Sequence, residues 1–446
     1  MTSSAPTLSF PGFLRQPIQV AFDAPEVTSD AGWLLLAQLD REVGLTEALA
    51  GALTDSREAP KVHHDLLTQL RQRVYSIAAG YEDCNDADFL RADSLLKAVL
   101  SRLPSQEDLA SQPTLSRFEN QRSPEELQAL ARALVTCFVE SRRARPPRRL
   151  ILDLDGTEDL VHGQQHFAFY NRHVGNYCFF PLLVFATCDQ ERDQVPLGAL
   201  LRSGKASAAE GAQEYLAWLL PQLRAAFPRL KLQVRLDGGF AVPALYEWLE
   251  AQGIDYVINL PQNSRLRALA EPLMAQARRL QQRQGGTVTL FGALRYRAHS
   301  WRRSRWVVVK AEVTPQGDNP RFLVLPALRG SPERYYRFYT QRGDCENRIK
   351  ELKQLAFDRT SCHRFEANQF RLFLHLAAYR LWQLLRGRLS GTGLARAQVD
   401  RLVLRLMKTG AWVRQTARGL RVHLAQSSPA YPYWRILALY WQPIPD

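Results

Sequence analysis

At Leu150 the spacing of apolar residues changes from helical to strand-like, and a chain with that switch folds as layers of helix against sheet. The runs Leu150 to Asp155, His166 to His173 and Tyr177 to Ala186 are rich in β-branched or aromatic residues and separated by glycine and polar residues, which predicts three strands. A helix follows in AAEGAQEYLAWLLPQLRAAF, then the strand LKLQVRLD, a helix in VPALYEWLEAQG and the strand YVINL. Upstream, from about Ala31 to Arg142, apolar residues recur at helical spacing in GWLLLAQLDREVGL, DLLTQLRQRVYSIAAGY, DSLLKAVLSRL and PEELQALARALVTCFVE. That all-helical region stops at SRRARPPRRL, where Pro146 and Pro147 break the pattern.

Downstream, TVTLF, ALRYRAHSW, RWVVVKAEV and RFLVLPAL, with the turn PQGDNP, read as a small inserted sheet. From Pro332 the pattern predicts one helix over Tyr335 to Gln354 and another over Ala367 to Arg386. Beyond Ser390, LVLRLMKTGAWV reads as helix or strand. The expected organisation is a helical domain over 1–145, an α/β core over 148–283 and 332–390, a β-rich insertion over 284–331, and a C-terminal region over 391–446. The order of elements in the core matches the RNase H-like fold.

The 446 residues carry 58 Lys and Arg against 44 Asp and Glu, a net charge of +14, which favours a polyanionic partner such as nucleic acid. A merely basic protein has the same composition. Cys84, Cys137, Cys178, Cys188, Cys345 and Cys362 lie far apart with no C-x-x-C pair, so they read as thiols in a reducing cytoplasm. The N-terminus lacks the basic start and apolar stretch of a signal peptide, and no apolar run is long enough to span a bilayer. A soluble cytoplasmic protein is expected.

Three carboxylates stand out. In RRLILDLDGT, strand alternation sends Asp153 and Asp155 to one face and Leu150, Leu152 and Leu154 to the other. Acids rarely occupy a central strand without a partner or a metal. For Asp153, a turn or supporting role fits better than direct ligation. Asp237 ends the strand LQVRLDGGF, at the edge where ligands of open α/β sheets collect, although an Asp-Gly turn alone explains that motif. In YTQRGDCENRIKELK, Tyr339, Arg342, Glu346 and Lys353 fall at offsets of 0, 3, 7 and 14. On one helix these span an arc of roughly 60°. Lys350 joins the stripe while Asp344 and Glu351 point away, which selects Glu346 as the third acid. Carboxylates on three separate elements are what a two-metal phosphoryl-transfer site requires.

These residues resemble the DDE transposases of bacterial insertion sequences, in the branch with a Tyr-x2-Arg-x3-Glu-x6-Lys signature. Asp155, Gly156 and Thr157 match its first aspartate motif, and Asp237, Gly239 and Phe240 its second. Leu236 and Gly238 depart from the residues expected to flank the second aspartate. RQRVYSIAAGYEDCNDADFLR, SQPTLSRFEN, LDLDGTEDLVHGQQ, TPQGDNPRFLV and DRTSCHRFEANQFRLFLHLAAY resemble the insertion-sequence family called thirteen-eighty. The resemblance implies cut-and-paste transposition by a bacterial, nucleoid-associated enzyme with Asp155, Asp237 and Glu346 as catalytic metal ligands. It implies two Mg²⁺ ions, with Mn²⁺ as a substitute. Terminal inverted repeats and target DNA are the implied partners, bound by a homodimer. Arg342 and Lys353 would contact phosphates near the cut and Tyr339 would help position the end.

The stretch RYRAHSWRRSRW holds Arg295, Arg297, Arg302, Arg303 and Arg305 with two tryptophans and no acid, a composition suited to tracking a nucleic-acid backbone. Trp301 or Trp306 is expected to stack a displaced base, the alternative being a tryptophan in the core of the small sheet. His162, His166 and His363 have no metal-ligand spacing and read as structural. An RNase H-like nuclease and a catalytically silent DNA-binding protein are the competing readings.

Overall fold

The computed structural model describes residues 8–441 except 11, 12, 14, 162, 173 and 192, so His162 and His173 lie outside the described residues. The chain divides into two compact units, one of residues 1–122, 354–356 and 377–446 and the other of residues 123–353 and 357–376.

The first unit is helical around Trp33–Val43, Leu66–Ala78, Ser94–Val99 and Gln112–Asn120. Its core includes the fully buried Trp33 and Trp382, whose indole N–H groups donate to the carbonyls of Tyr75 (3.1 Å) and Ala78 (2.8 Å). Arg73 of the RQRV segment is buried on Glu119 of SQPTLSRFEN at 2.7 Å and also donates to the Glu82 carbonyl at 2.7 Å. A buried, hydrogen-bonded ion pair of this kind fixes relative placement. The two segments therefore order each other. The ambiguous tail resolves into a short helix, Val399–Leu402, a π-helical turn, Val403–Met407, and the hairpin Ala411–Thr416 and Gly419–Leu424, paired with Val27–Thr28.

In the second unit, helix α1 (Pro124–Ser141) opens with a capping box at Ser123 and Glu126. The strands are β1 (Arg149–Gly156), β2 (Leu182–Cys188), β3 (Val195–Leu200), β4 (Lys231–Leu236), β5 (Asp255–Asn259), β6 (Val288–Tyr296), β7 (Arg305–Thr314) and β8 (Arg321–Leu325). The helices are α2 (Ala212–Ala226), α3 (Pro243–Ala251), α4 (Ser264–Gln284), α5 (Pro332–Thr340), α6 (Gly343–Gln354) and α7 (Phe365–Gly387), of which this unit holds the part up to residue 376. The sheet order is β6-β7-β8-β5-β4-β1-β2-β3, with Gly317–Asp318 paired to the end of β7. Strands β1, β4 and β5 run parallel, and the other neighbours are antiparallel. This is a mixed α/β architecture with a mixed sheet. Leu150, Leu152 and Leu154 join Val184, Leu216, Val234 and Tyr246 in the main core.

Four expectations change. The segment read as a separate inserted sheet extends the main sheet, because β8 pairs antiparallel with β5. An alternating pattern specifies a strand but not its neighbour. The run from Tyr177 to Ala186 is two strands, since Asn176–Phe179 pairs with Phe169–Asn171 in a small sheet and β2 begins after Pro181. The strand expected from His166 is confined to Phe169–Asn171. The single helix expected over Tyr335 to Gln354 is two, broken at Gln341 and Arg342.

No helix among the described residues is long and apolar enough to cross a membrane, and none of the six cysteines is joined in a disulfide.

Candidate active site

Parallel pairing of β1 and β4 sets the site. The register places Asp153 opposite Arg235, so Asp155 and Asp237, each two residues further on, emerge on one face at the same edge of the sheet. Arg235 donates to both carboxylate oxygens of Asp153, at 2.9 and 2.7 Å, with both side chains buried. Gln194 adds a donor to Asp153 at 2.8 Å. Asp153 is thus satisfied inside the protein. From the same guanidinium, Nη1 reaches the carbonyl of Phe338 at 2.8 Å and Gln341 Oε1 at 3.3 Å, which ties the end of α5 to the sheet.

That tether holds the turn carrying Arg342. Its Nη2 lies 2.8 Å from Asp155 Oδ2 and 3.5 Å from Asp237 Oδ2, and its Nη1 lies 3.2 Å from Glu346 Oε1. Three carboxylates from β1, the loop after β4 and α6 therefore converge on one cation. Both aspartates also make local bonds, Asp155 Oδ1 accepting from Gly156 N–H at 3.0 Å and Asp237 Oδ1 from Gly239 N–H at 2.8 Å. The Asp-Gly turn and the site role of Asp237 coexist, one on each oxygen. Gly156 is needed for packing, because a Cβ there would fall 2.5 Å from Phe180.

The three acids differ in exposure. The Asp155 side chain is 12% exposed, that of Asp237 37% and that of Glu346 57%. Burial pushes the Asp155 carboxyl up to about 6, with Arg342 pulling it down and Asp237 and Glu346 adding to the rise. Burial acts to lower the Arg342 pKa, but Asp155 and Asp237 outweigh it and hold the guanidinium charged. Tyr339 is half-buried beside them, its hydroxyl pushed up to about 12 chiefly by burial.

Lys353 sits between Glu158, at 2.5 Å, and Asp358, at 3.5 Å. Glu158 and Asp358 carry no mark in the sequence beyond ordinary loop acids. Lys350 is exposed on the same helix, whereas Glu351 is buried against Arg348 at 3.0 Å. Beneath the site, burial raises the Cys345 thiol well above its usual range. The break before Gly343 puts Tyr339 on α5 and Glu346 and Lys353 on α6, yet Tyr339, Arg342 and Glu346 still meet at one place.

The arginine-tryptophan stretch divides. Trp301 is 4% exposed and packs edge-on against Tyr246 and Tyr296 at 5.5 and 5.4 Å between ring centres, which makes it a core residue and not a base-stacking platform in this state. Arg305 is equally buried, its Nε 2.8 Å from Glu250 Oε1. Arg303 shares Glu250 through its Nε at 3.0 Å. Arg302 is 87% exposed with Glu247 at 3.6 Å. Trp306 is partly buried beneath Arg295, 5.3 Å from its ring centre. The rings of His166 and His363 meet at a tilt, 4.5 Å between centres.

Among the described residues, no three His, Cys, Asp or Glu side chains stand close enough to share one ion. The guanidinium wedged among Asp155, Asp237 and Glu346 accounts for their spacing. The donor set itself is all oxygen and gathered on a positive charge, which suits a hard divalent cation.

The family described as Transposase DDE domain group 1 matches residues 10–444, nearly the whole chain. No curated protein matches the chain.

Proposed function

The chain belongs to the transposase DDE domain group 1 family, and we propose that it is a cut-and-paste insertion-sequence transposase acting through Asp155, Asp237 and Glu346. The observation that carries this reading is the convergence of these three carboxylates, from three separate elements, on a single cation. The order β3-β2-β1-β4-β5 with parallel β1, β4 and β5 supports an RNase H-like core. The Tyr339, Arg342, Glu346 and Lys353 spacing supports the signature branch and the thirteen-eighty family.

Asp155, Asp237 and Glu346 would hold two Mg²⁺ ions, or Mn²⁺ in their stead, which supply the positive charge that activates an attacking oxygen and stabilises the leaving one. The protein's own residues do the positioning. Arg342 and Lys353 bind phosphate oxygens flanking the cut by charge-assisted hydrogen bonds. Tyr339, kept protonated by burial, donates its hydroxyl to the DNA end. Water first opens the phosphodiester at the element boundary, and the freed 3′-hydroxyl then attacks a target phosphodiester, expelling that strand's own 3′-oxygen. Exposed Lys350 and Arg302 extend the cationic track, joined by Arg303 and Trp306. Trp301 and Arg305 support that track from the core.

The helical region within 1–145 recognises the terminal inverted repeats, and pairing of two ends calls for a homodimer on DNA, in a bacterial cytoplasm at the nucleoid. The test is a labelled duplex spanning an element end, incubated with Mg²⁺ or EDTA beside an Asp237→Ala variant. Metal-dependent cutting and joining, both lost in the variant, is the expected result. Cutting without joining favours a nuclease, and binding without cutting a silent DNA-binding protein.

A further inference from the structure

Arg342 is held unlike an arginine waiting for a phosphate. Its two terminal nitrogens are spent on Asp155, Asp237 and Glu346, and the side chain is only 8% exposed. Its Nε–H has no acceptor among the described residues. The residue sits in the turn between α5 and α6 rather than inside a helix. The oxygens it occupies, Asp155 Oδ2, Asp237 Oδ2 and Glu346 Oε1, are those a divalent cation would need. While the guanidinium holds these oxygens, an incoming divalent cation must displace it or sit against its charge.

We propose that Arg342 is the built-in counter-ion of the three acids in the DNA-free protein, and that it holds divalent cations off until a DNA phosphate draws the guanidinium away. This rests on the proposed function and goes beyond it by making metal occupancy depend on substrate. A phosphodiester offers two non-bridging oxygens to the planar guanidinium fork, and the unpaired Nε–H supplies the second donor beside Nη2. Because such coupling is reciprocal, DNA tightens metal binding and metal tightens DNA binding. Cutting is thereby confined to DNA already seated in the site.

The test is Mn²⁺ binding to the full chain, followed by Mn²⁺ paramagnetic resonance, for wild type, Arg342→Ala, Arg342→Gln and Asp155→Asn, with and without a short DNA duplex. Without DNA, both Arg342 variants are expected to bind Mn²⁺ about tenfold more tightly than wild type. The duplex should tighten wild type and leave the variants unchanged. Arg342→Gln keeps most of the side-chain volume and decides the matter if the alanine variant fails to fold. Equal or weaker Mn²⁺ binding by a folded Arg342 variant, still lost on Asp155→Asn, overturns the counter-ion role and leaves the site reading intact. Mn²⁺ binding that is indifferent to Asp155→Asn, or absent from every protein with and without DNA, overturns the site reading itself and the counter-ion role with it.

Discussion

Asp153 and Arg235 face each other across neighbouring parallel strands, joined by two hydrogen bonds of 2.9 and 2.7 Å in the buried core. The pair links the sheet to the turn that carries Arg342, because the same guanidinium holds the Phe338 carbonyl at the end of α5. Asp155 follows two residues on in β1 and Asp237 just past the end of β4, so the ion pair lies directly behind the site it supports.

Asp153→Ala should therefore destabilise the protein by about 3–5 kcal/mol, the cost of leaving a buried arginine unpaired. Urea denaturation measures it. Asp155→Asn should cost far less, since burial already raises that carboxyl to about 6. A stable Asp153→Ala protein would remove the supporting role.

The two tryptophans should separate in the same way. Trp301→Ala, emptying a core site between Tyr246 and Tyr296, should lose about 3–5 kcal/mol. Trp306→Ala should fold nearly as wild type and weaken DNA binding, read by fluorescence anisotropy. The opposite pattern would return Trp301 to the DNA surface.

Much of this site was legible because its signals are local. Alternation in LILDLD places Asp153 and Asp155 on one face without any tertiary information, and the strand-ending position of Asp237 is visible in LQVRLDGG. The break at Gln341 and Arg342 was not. The helical spacing runs through it, and the distant Arg235, bonded to Phe338 and Gln341, holds the turn in the folded protein. Nor could the sequence tell Arg302 from Arg305. Both are arginines in one basic run, and only the fold puts Arg305 against Glu250, Tyr246 and Trp301 in the core while Arg302 meets solvent. The extra strands were readable as strands, but their attachment to β5 depends on a pairing far along the chain.

Asp159 gives a pH signature. It is buried with Thr360 donating from Oγ1 at 2.6 Å, and burial, working against that bond, raises its carboxyl to about 7 from a usual 3.8. The folded protein then holds a proton that the unfolded chain releases between those values, so this group makes stability fall as pH rises through that window. Asp159→Asn removes the effect. Melting temperatures of variant and wild type should be closest near the lower value, diverge in favour of the variant as pH rises, and differ by a constant amount above about 7. A gap that does not change with pH would contradict the assignment.

Lys353 is predicted to act on DNA more than on stability. Its partners Glu158 and Asp358 are both partly exposed, and such pairs contribute about 0–1 kcal/mol. Lys353→Ala should weaken DNA binding across sequences and reduce the salt slope by about 1. Unchanged salt dependence would mean that Lys353 stays with its carboxylates in the complex.

The central claim is that Asp155, Asp237 and Glu346 form one catalytic set. The most direct measurement compares Mg²⁺-dependent cleavage of a labelled element-end duplex by wild type, Asp155→Asn, Asp237→Asn, Glu346→Gln and, as a control, Asp344→Asn, with melting curves taken for each. The account predicts that the three site variants fold but lose cleavage, while Asp344→Asn, exposed on α6, cuts as wild type does. Cleavage retained by any folded member of the three would contradict it.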